Sequence, residues 1–257
     1  MKVAISFIGT NRYLDYLPQY YENIEKYFLP NSEKTILAFT DGELNDTPDN
    51  VKVYHQEHLP WPYITLKRFE IINKAREEIK KNDWFVFIDA DALSVATITE
   101  EEFLHRCCGR STDEVPLFGV HHPCHYLNMQ PHNEKPGAFD QNIKSEACVK
   151  FDDETYWSMP GDSSVRRVYY QGCFWGGKVP AVLSMIDELE ARVNRDLEKD
   201  VIAQWHDESH INRYFIDREF DVHTFGPEYA YPEVFDEHCN FEPKIVHLAK
   251  DNSKYQQ

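Results

Sequence analysis

The stretch Asp83-Trp84-Phe85-Val86-Phe87-Ile88-Asp89-Ala90-Asp91 decides the fold. Its apolar centre shows no polar alternation, so the strand it forms is covered on both faces, as in a parallel sheet. Two carboxylates follow at once, at the carboxyl end of that strand, where open α/β sheets bind their ligands. On extended backbone Asp89 and Asp91 fall on the same side, within reach of one hard divalent cation. A bare pair of solvated loop acids has the same spacing; the strand in front of this pair is what favours a site.

Working outward, residues 3–8 form a second short apolar run that ends at Gly9. Tyr13, Leu14, Leu17, Tyr20, Tyr21, Ile24 and Phe28 then recur at helical spacing. Residues 35–40 and 51–54 are further strands, and Ile64, Leu66, Phe69, Ile71, Ile72 and Ala75 lead a helix to about Lys80. Strands alternating with helices give an α/β fold: a Rossmann-like, mostly parallel sheet with helices on both faces. From 111 to 162 Pro, Gly, Asn and charges mix with aromatics, and one strand is expected at 117–121. Order returns at 165–170. Helices are expected at 180–194, with Pro180 in the first turn, and at 205–215. The end is aromatic and Pro-broken, with a polar tail.

The chain has 257 residues and a net charge of −17, which argues against non-specific nucleic-acid binding and against docking on anionic membranes. With 42% hydrophobic residues it can fill a core, and the length suits one domain, 1–257. No run approaches the ~20 apolar residues of a membrane span, and the N-terminus lacks a signal peptide's pattern, so a cytoplasmic location is expected. The six cysteines show no CxxC and no zinc-ligand spacing, as suits reduced thiols.

Three more stretches could carry chemistry. In Trp205-His206-Asp207-Glu208-Ser209-His210-Ile211-Asn212, two acids share a helical turn with two histidines. The histidines fit ordinary packing better than metal ligation, because the order is not that of a zincin. The acids could hold a substrate hydroxyl and face a reacting carbon. Tyr169-Tyr170-Gln171-Gly172-Cys173-Phe174-Trp175-Gly176-Gly177 suits either a ligand wall or an ordinary strand. Lys67-Arg68 is either solvated or a partner for diphosphate or sugar hydroxyls.

Together these stretches, with His122-Pro123-Cys124-His125-Tyr126, resemble family 6 of the glycosyltransferases. That group includes the blood-group A and B transferases and the α-1,3-galactosyltransferase. The likeness runs from about residue 3 to 250, and the Trp-His-Asp-Glu-Ser-His run is highly specific. With no stem or anchor ahead of the domain, the chain is most similar to compact soluble microbial or viral members. The resemblance implies a GT-A fold, with its nucleotide-binding part at about 1–95, its acceptor and catalytic part at about 96–250 and its tail at 251–257, and α-1,3 transfer from a UDP-sugar to a galactoside, with retention at the anomeric carbon. It implies that Phe7, Ile8 and Tyr13 hold the uridine and that Asp89 and Asp91 bind Mn²⁺, with Mg²⁺ as a substitute. Arg68 and Asp207 would hold donor hydroxyls, and Glu208 would lie beneath the anomeric carbon. His122 and Trp205 match acceptor-site residues, Gln171 and Cys173 the positions that select sugars, and Lys250 a residue closing over the diphosphate. Lys254 would take the place of an Arg usual in the tail. Cys173 is larger than Gly or Ala, so galactose or glucose is expected over N-acetylgalactosamine. Two other functions stay open: hydrolysis of the UDP-sugar, and a non-catalytic carbohydrate-binding protein of the same fold.

Overall fold

A strand apolar on both faces is stable only between two layers, and the computed structural model shows both. It describes residues 1–44, 46–107, 115–123, 139–149, 168–233 and 242–250. Strands β1 (Lys2–Ile8), β2 (Glu33–Thr40), β3 (Val51–His55) and β4 (Trp84–Ile88) precede β5 (Ala92–Ser94), β6 (Leu117–His121) and β7 (Tyr170–Lys178). The last three are β8 (Val222–Phe225), β9 (Tyr231–Pro232) and β10 (Ile245–His247). Seven of them form one sheet in the order β3-β2-β1-β4-β7-β6-β8, in which β7 alone runs antiparallel to its neighbours. β5, β10 and β9 form a small second sheet. The strand order reverses between β1 and β4, and the carboxyl ends of these two strands are the place where such sheets open a ligand crevice.

The period-2 alternation of side chains divides the core. Val3, Ile5 and Phe7 of β1 and Trp84, Val86 and Ile88 of β4 pack on one side, with α1 (Leu17–Tyr27) over them. Ala4, Phe85 and Phe87 pack on the other side. There they meet α3 (Arg68–Asn73), α6 (Val179–Leu197) and α7 (His206–Ile216), which follow α2 (Tyr63–Leu66), α4 (Arg76–Ile79) and α5 (Glu100–Cys107) in the count. All five β4 side chains are buried. At about 1.5–3 kcal/mol each, they contribute on the order of 10 kcal/mol before the entropy of ordering is subtracted.

Two local expectations change, and one alternative is decided. The helix expected from Tyr13 begins only at Leu17, after a 3₁₀ stretch at Asn11–Tyr16, because Pro18 is suited to the first helical turn. The helix expected at 64–80 is three short pieces, interrupted at Lys67 and Ala75, where ψ is near +14° and +13°. The first interruption turns Arg68 inward beside Leu66 and Phe69. The Gly-rich aromatic run is a central strand, β7. It must be glycine-rich because a Cβ at Gly176 would lie 2.2 Å from the Phe85 carbonyl oxygen, and Trp175 stacks on Phe87 at 5.3 Å. Cys124, His125, Tyr126, most of 111–162, residues 165–167, Lys254 and the tail 251–257 lie outside the described residues.

Candidate active site

β4 delivers Asp89 to the crevice, and the chain then turns, with Ala92 N–H donating to the Asp89 carbonyl at 3.0 Å. The two acids therefore converge across a turn rather than along extended backbone. One carboxylate oxygen from each lies within 4.8 Å of the other and of a ring nitrogen of His247. His247 arrives on β10, opposite Ala92, and Leu248 N–H donates to the Asp91 carbonyl at 3.0 Å. Lys250 follows, its ammonium donating to Asp91 Oδ2 and lying 4.9 Å from the centre of the Tyr13 ring. Hard carboxylate oxygens beside a sealed imidazole nitrogen that makes no hydrogen bond are a donor set that fits a divalent cation.

Arg68 is the hub of the site. Its guanidinium donates to Asp89 Oδ1 at 3.2 Å and to the Gly172 carbonyl at 2.7 Å, and it stacks 4.2 Å from the Phe87 ring. Its Nη1 is also 2.6 Å from Asp207 Oδ2, an ion pair without hydrogen-bond alignment, so this buried oxygen keeps its acceptor capacity. Arg68 thus links the acids after β4 to those that open α7. At the start of α7, His206 takes φ +53°, left-handed for a residue with a Cβ, with its ring 4.8 Å from that of Trp61.

Glu208 is clamped from two sides. Tyr169 Oη donates to its Oε1 at 2.7 Å, and Gly172 N–H to its Oε2 at 2.8 Å. A Cβ on Gly172 would sit 3.2 Å from that of Glu208, so a side chain here would press β7 and α7 apart by a few tenths of an ångström. Tyr169 also touches the two residues expected to meet an acceptor. Its carbonyl accepts from His122 N–H at 2.9 Å, and Trp205 packs with it over Phe139 and Val149. Gln171 is half-buried, with its Oε1 lacking a hydrogen bond. Cys173 is 3% exposed and belongs to the core, its thiol held above its usual range by burial and by Asp89 and Glu208.

A cavity of about 350 Å³ opens beside the Asp89–Asp91 turn, lined among others by Ile8, Tyr13, Arg68, Asp89, Asp91 and Lys250, while His122, Gln171, Cys173, Trp205, Asp207 and Glu208 are not on its wall. Phe7 is not on it. The alternation along β1 turns this side chain into the core, 5.1 Å from the Tyr20 ring, so it does not face the ligand space. Residue types alone did not single out Thr10, His58 and Trp61 on the cavity wall, or Tyr169 and His247. His58 and Thr10 are joined at 3.0 Å, and Trp61 is 54% exposed.

Burial raises all three acids around Arg68. Asp89 is pushed up despite Arg68, Asp207 rises to about 6, and Glu208 rises to about 7 against the hydrogen bonds from Tyr169 and Gly172. Lys250 is raised overall, since Asp91 and Tyr13 outweigh the burial that opposes its charge. Burial thus penalises the charged acids, and a cation brought among them would favour their ionised form.

Among the described residues, no helix is long and apolar enough to cross a membrane. The chain is 26% identical to an O-antigen biosynthesis glycosyltransferase, WbnI, of Escherichia coli, over 99% of its own length and 97% of that protein. It is 21% identical to histo-blood group ABO system transferase 2 of Rattus norvegicus, over 90% of this chain and 64% of the rat protein. Globoside alpha-1,3-N-acetylgalactosaminyltransferase 1 of Gallus gallus is 22% identical over 91% of this chain and 65% of its own. The chain thus spans about two thirds of the two animal relatives. The model of glycosyltransferase family 6 matches residues 1–256, and the chain belongs to that family of glycosyltransferases.

Proposed function

We propose that this protein is a Mn²⁺-dependent, retaining hexosyltransferase, moving a sugar from UDP to a glycan, α-1,3 onto a galactoside. The observation that carries the reading is the continuous charged line from Asp89 and Asp91 through Arg68 to Asp207 and Glu208. It has the parts that sugar transfer needs: a cation site for the diphosphate, polar anchors for a hexose, and a carboxylate held at the far end.

Asp89 and Asp91 hold the metal, and Mg²⁺ is a possible substitute. A divalent ion there offsets the charge that develops on the leaving diphosphate. Tyr13 and Ile8 flank the nucleoside, and Lys250 leaves Asp91 for the diphosphate. Asp207 Oδ2, with unused acceptor capacity, takes a donor hydroxyl beside Arg68. Glu208 keeps its carboxylate aimed by Tyr169 and Gly172, where its negative charge favours an electron-deficient anomeric carbon more than the bound ground state. His122 and Trp205 receive the acceptor near Tyr169. The donor preference is galactose or glucose over N-acetylgalactosamine, a reading that rests on the size of Cys173 against Gly or Ala in β7, its side chain being core-packed and off the cavity wall.

The test is UDP release from a panel of UDP-sugars, in Mn²⁺, in Mg²⁺ and in chelator, with and without β-galactosides. Release that needs the metal and rises with acceptor is expected. Equal release in chelator would remove the metal from the proposal, and no release from any UDP-sugar would remove the transferase. Release indifferent to every acceptor would leave hydrolysis as the activity.

A further inference from the structure

We propose that His247 is a third protein ligand of the metal site and sets its preference for Mn²⁺ over Mg²⁺. This inference rests on the metal-dependent reading above, which uses only the two aspartates.

The first support is position. A ring nitrogen of His247 and one oxygen each from Asp89 and Asp91 lie within 4.8 Å of one another. Two ligands on opposite sides of one divalent ion are about 4–5 Å apart, so a single ion can span the three. The second is how firmly that position is held. His247 pairs with Ala92 in the β10–β5 ladder, and Leu248 N–H bonds to the Asp91 carbonyl at 3.0 Å. The imidazole is thereby fixed to the same turn that carries both carboxylates, on a strand rather than on a loose loop.

The third support is what each group already holds. Asp89 Oδ1 accepts from Arg68, and Asp91 Oδ2 accepts from Lys250. His247 Nε2 is sealed from solvent and has no hydrogen-bond partner. A buried ring nitrogen without a partner is costly, and in the tautomer with Nε2 bare the ionised carboxylates offer it no proton. A metal ion does satisfy it.

Discrimination follows from the donor chemistry. Mg²⁺ takes oxygen ligands, demands near-ideal octahedral geometry and gives up its water reluctantly. Imidazole nitrogen is a softer donor that transition-metal ions accept more readily than Mg²⁺ does, Mn²⁺ being the weakest binder of that series. Two carboxylates alone would serve either ion, whereas adding an imidazole favours Mn²⁺.

The experiment uses the full chain with Mn²⁺ alone as the probe. Electron spin echo envelope modulation of bound Mn²⁺ should show coupling to a directly ligated ¹⁴N, and His247→Ala should abolish it. That variant should bind Mn²⁺ at least about tenfold more weakly, while its Mg²⁺ affinity, read by competition, moves less than about threefold. Bound Mn²⁺ without ¹⁴N coupling in the parent protein would overturn the proposal, and so would an unchanged Mn²⁺ affinity in His247→Ala. The parent measurement needs no variant to fold. Asp89→Asn/Asp91→Asn separates the two readings. Parent-like Mn²⁺ binding by that protein would sink the metal site itself. Loss of binding there, with none of the His247 effects, would sink only the third ligand.

Discussion

Replacing Glu208 by Gln should disable the protein and, above neutral pH, stabilise it. In the folded chain burial holds this carboxyl at about 7, against an ordinary value of 4.5. Below about pH 4.5 the acid is protonated in both folded and unfolded chains and has no effect on stability. As pH rises from there to about 7 the unfolded chain ionises first, so stability falls, and above 7 the full cost is present. The interval corresponds to ~3 kcal/mol at most. The amide fits the clamp, because Gln Oε1 can accept from Gly172 N–H while its NH₂ donates to Tyr169 Oη, which then acts as an acceptor. We expect Glu208→Gln to gain about 1–3 kcal/mol at about pH 8 and nothing at about pH 4.5. Urea denaturation followed by tryptophan fluorescence across that range measures it. A gain that does not change with pH, or a loss at pH 8, would refute the role given to burial.

Arg68→Ala should cost about 3–5 kcal/mol near pH 8, because it strands the charge of buried Asp207. The loss should shrink towards pH 5, as the acids take up protons, and a pH-independent loss in the same melts would contradict this. Lys250→Met removes the cation that already sits on Asp91, so Mn²⁺ should bind the donor-free protein roughly tenfold more tightly by titration, whereas weaker binding would make Lys250 a support of the site. In kcat/KM the parent protein should favour UDP-galactose or UDP-glucose over UDP-N-acetylgalactosamine by roughly tenfold. Equal values would remove Cys173 as a filter.

What could be read from the residues alone was what periodicity and residue chemistry encode. β4 was legible because five apolar residues run straight into two acids, and Asp207 and Glu208 because two acids on one turn of a mostly buried helix pay repulsion and desolvation. Three features depend on tertiary context. The reversed direction of β7 is set by its pairing with β4 and β6, which no local pattern records. The break before Arg68 follows from its ion pairs with Asp89 and Asp207, two segments distant in the chain. Phe7 looked like part of a nucleotide site from its place in a motif, but the alternation of β1 sends it into the core. His247 sits in an apolar run, Ile245-Val246-His247-Leu248, and becomes a candidate ligand only when β10 docks on β5.

The central claim is that one cluster, from the β4 turn to the start of α7, performs sugar transfer. The most direct measurement is the rate of UDP release in Mn²⁺ by the parent protein, by Asp89→Asn/Asp91→Asn and by Glu208→Gln, assayed side by side at saturating donor with a β-galactoside. Both variants should lose at least ~100-fold in kcat, about 2.7 kcal/mol in the barrier, with UDP affinity nearly unchanged in Glu208→Gln. Parent-like turnover by either variant would contradict it.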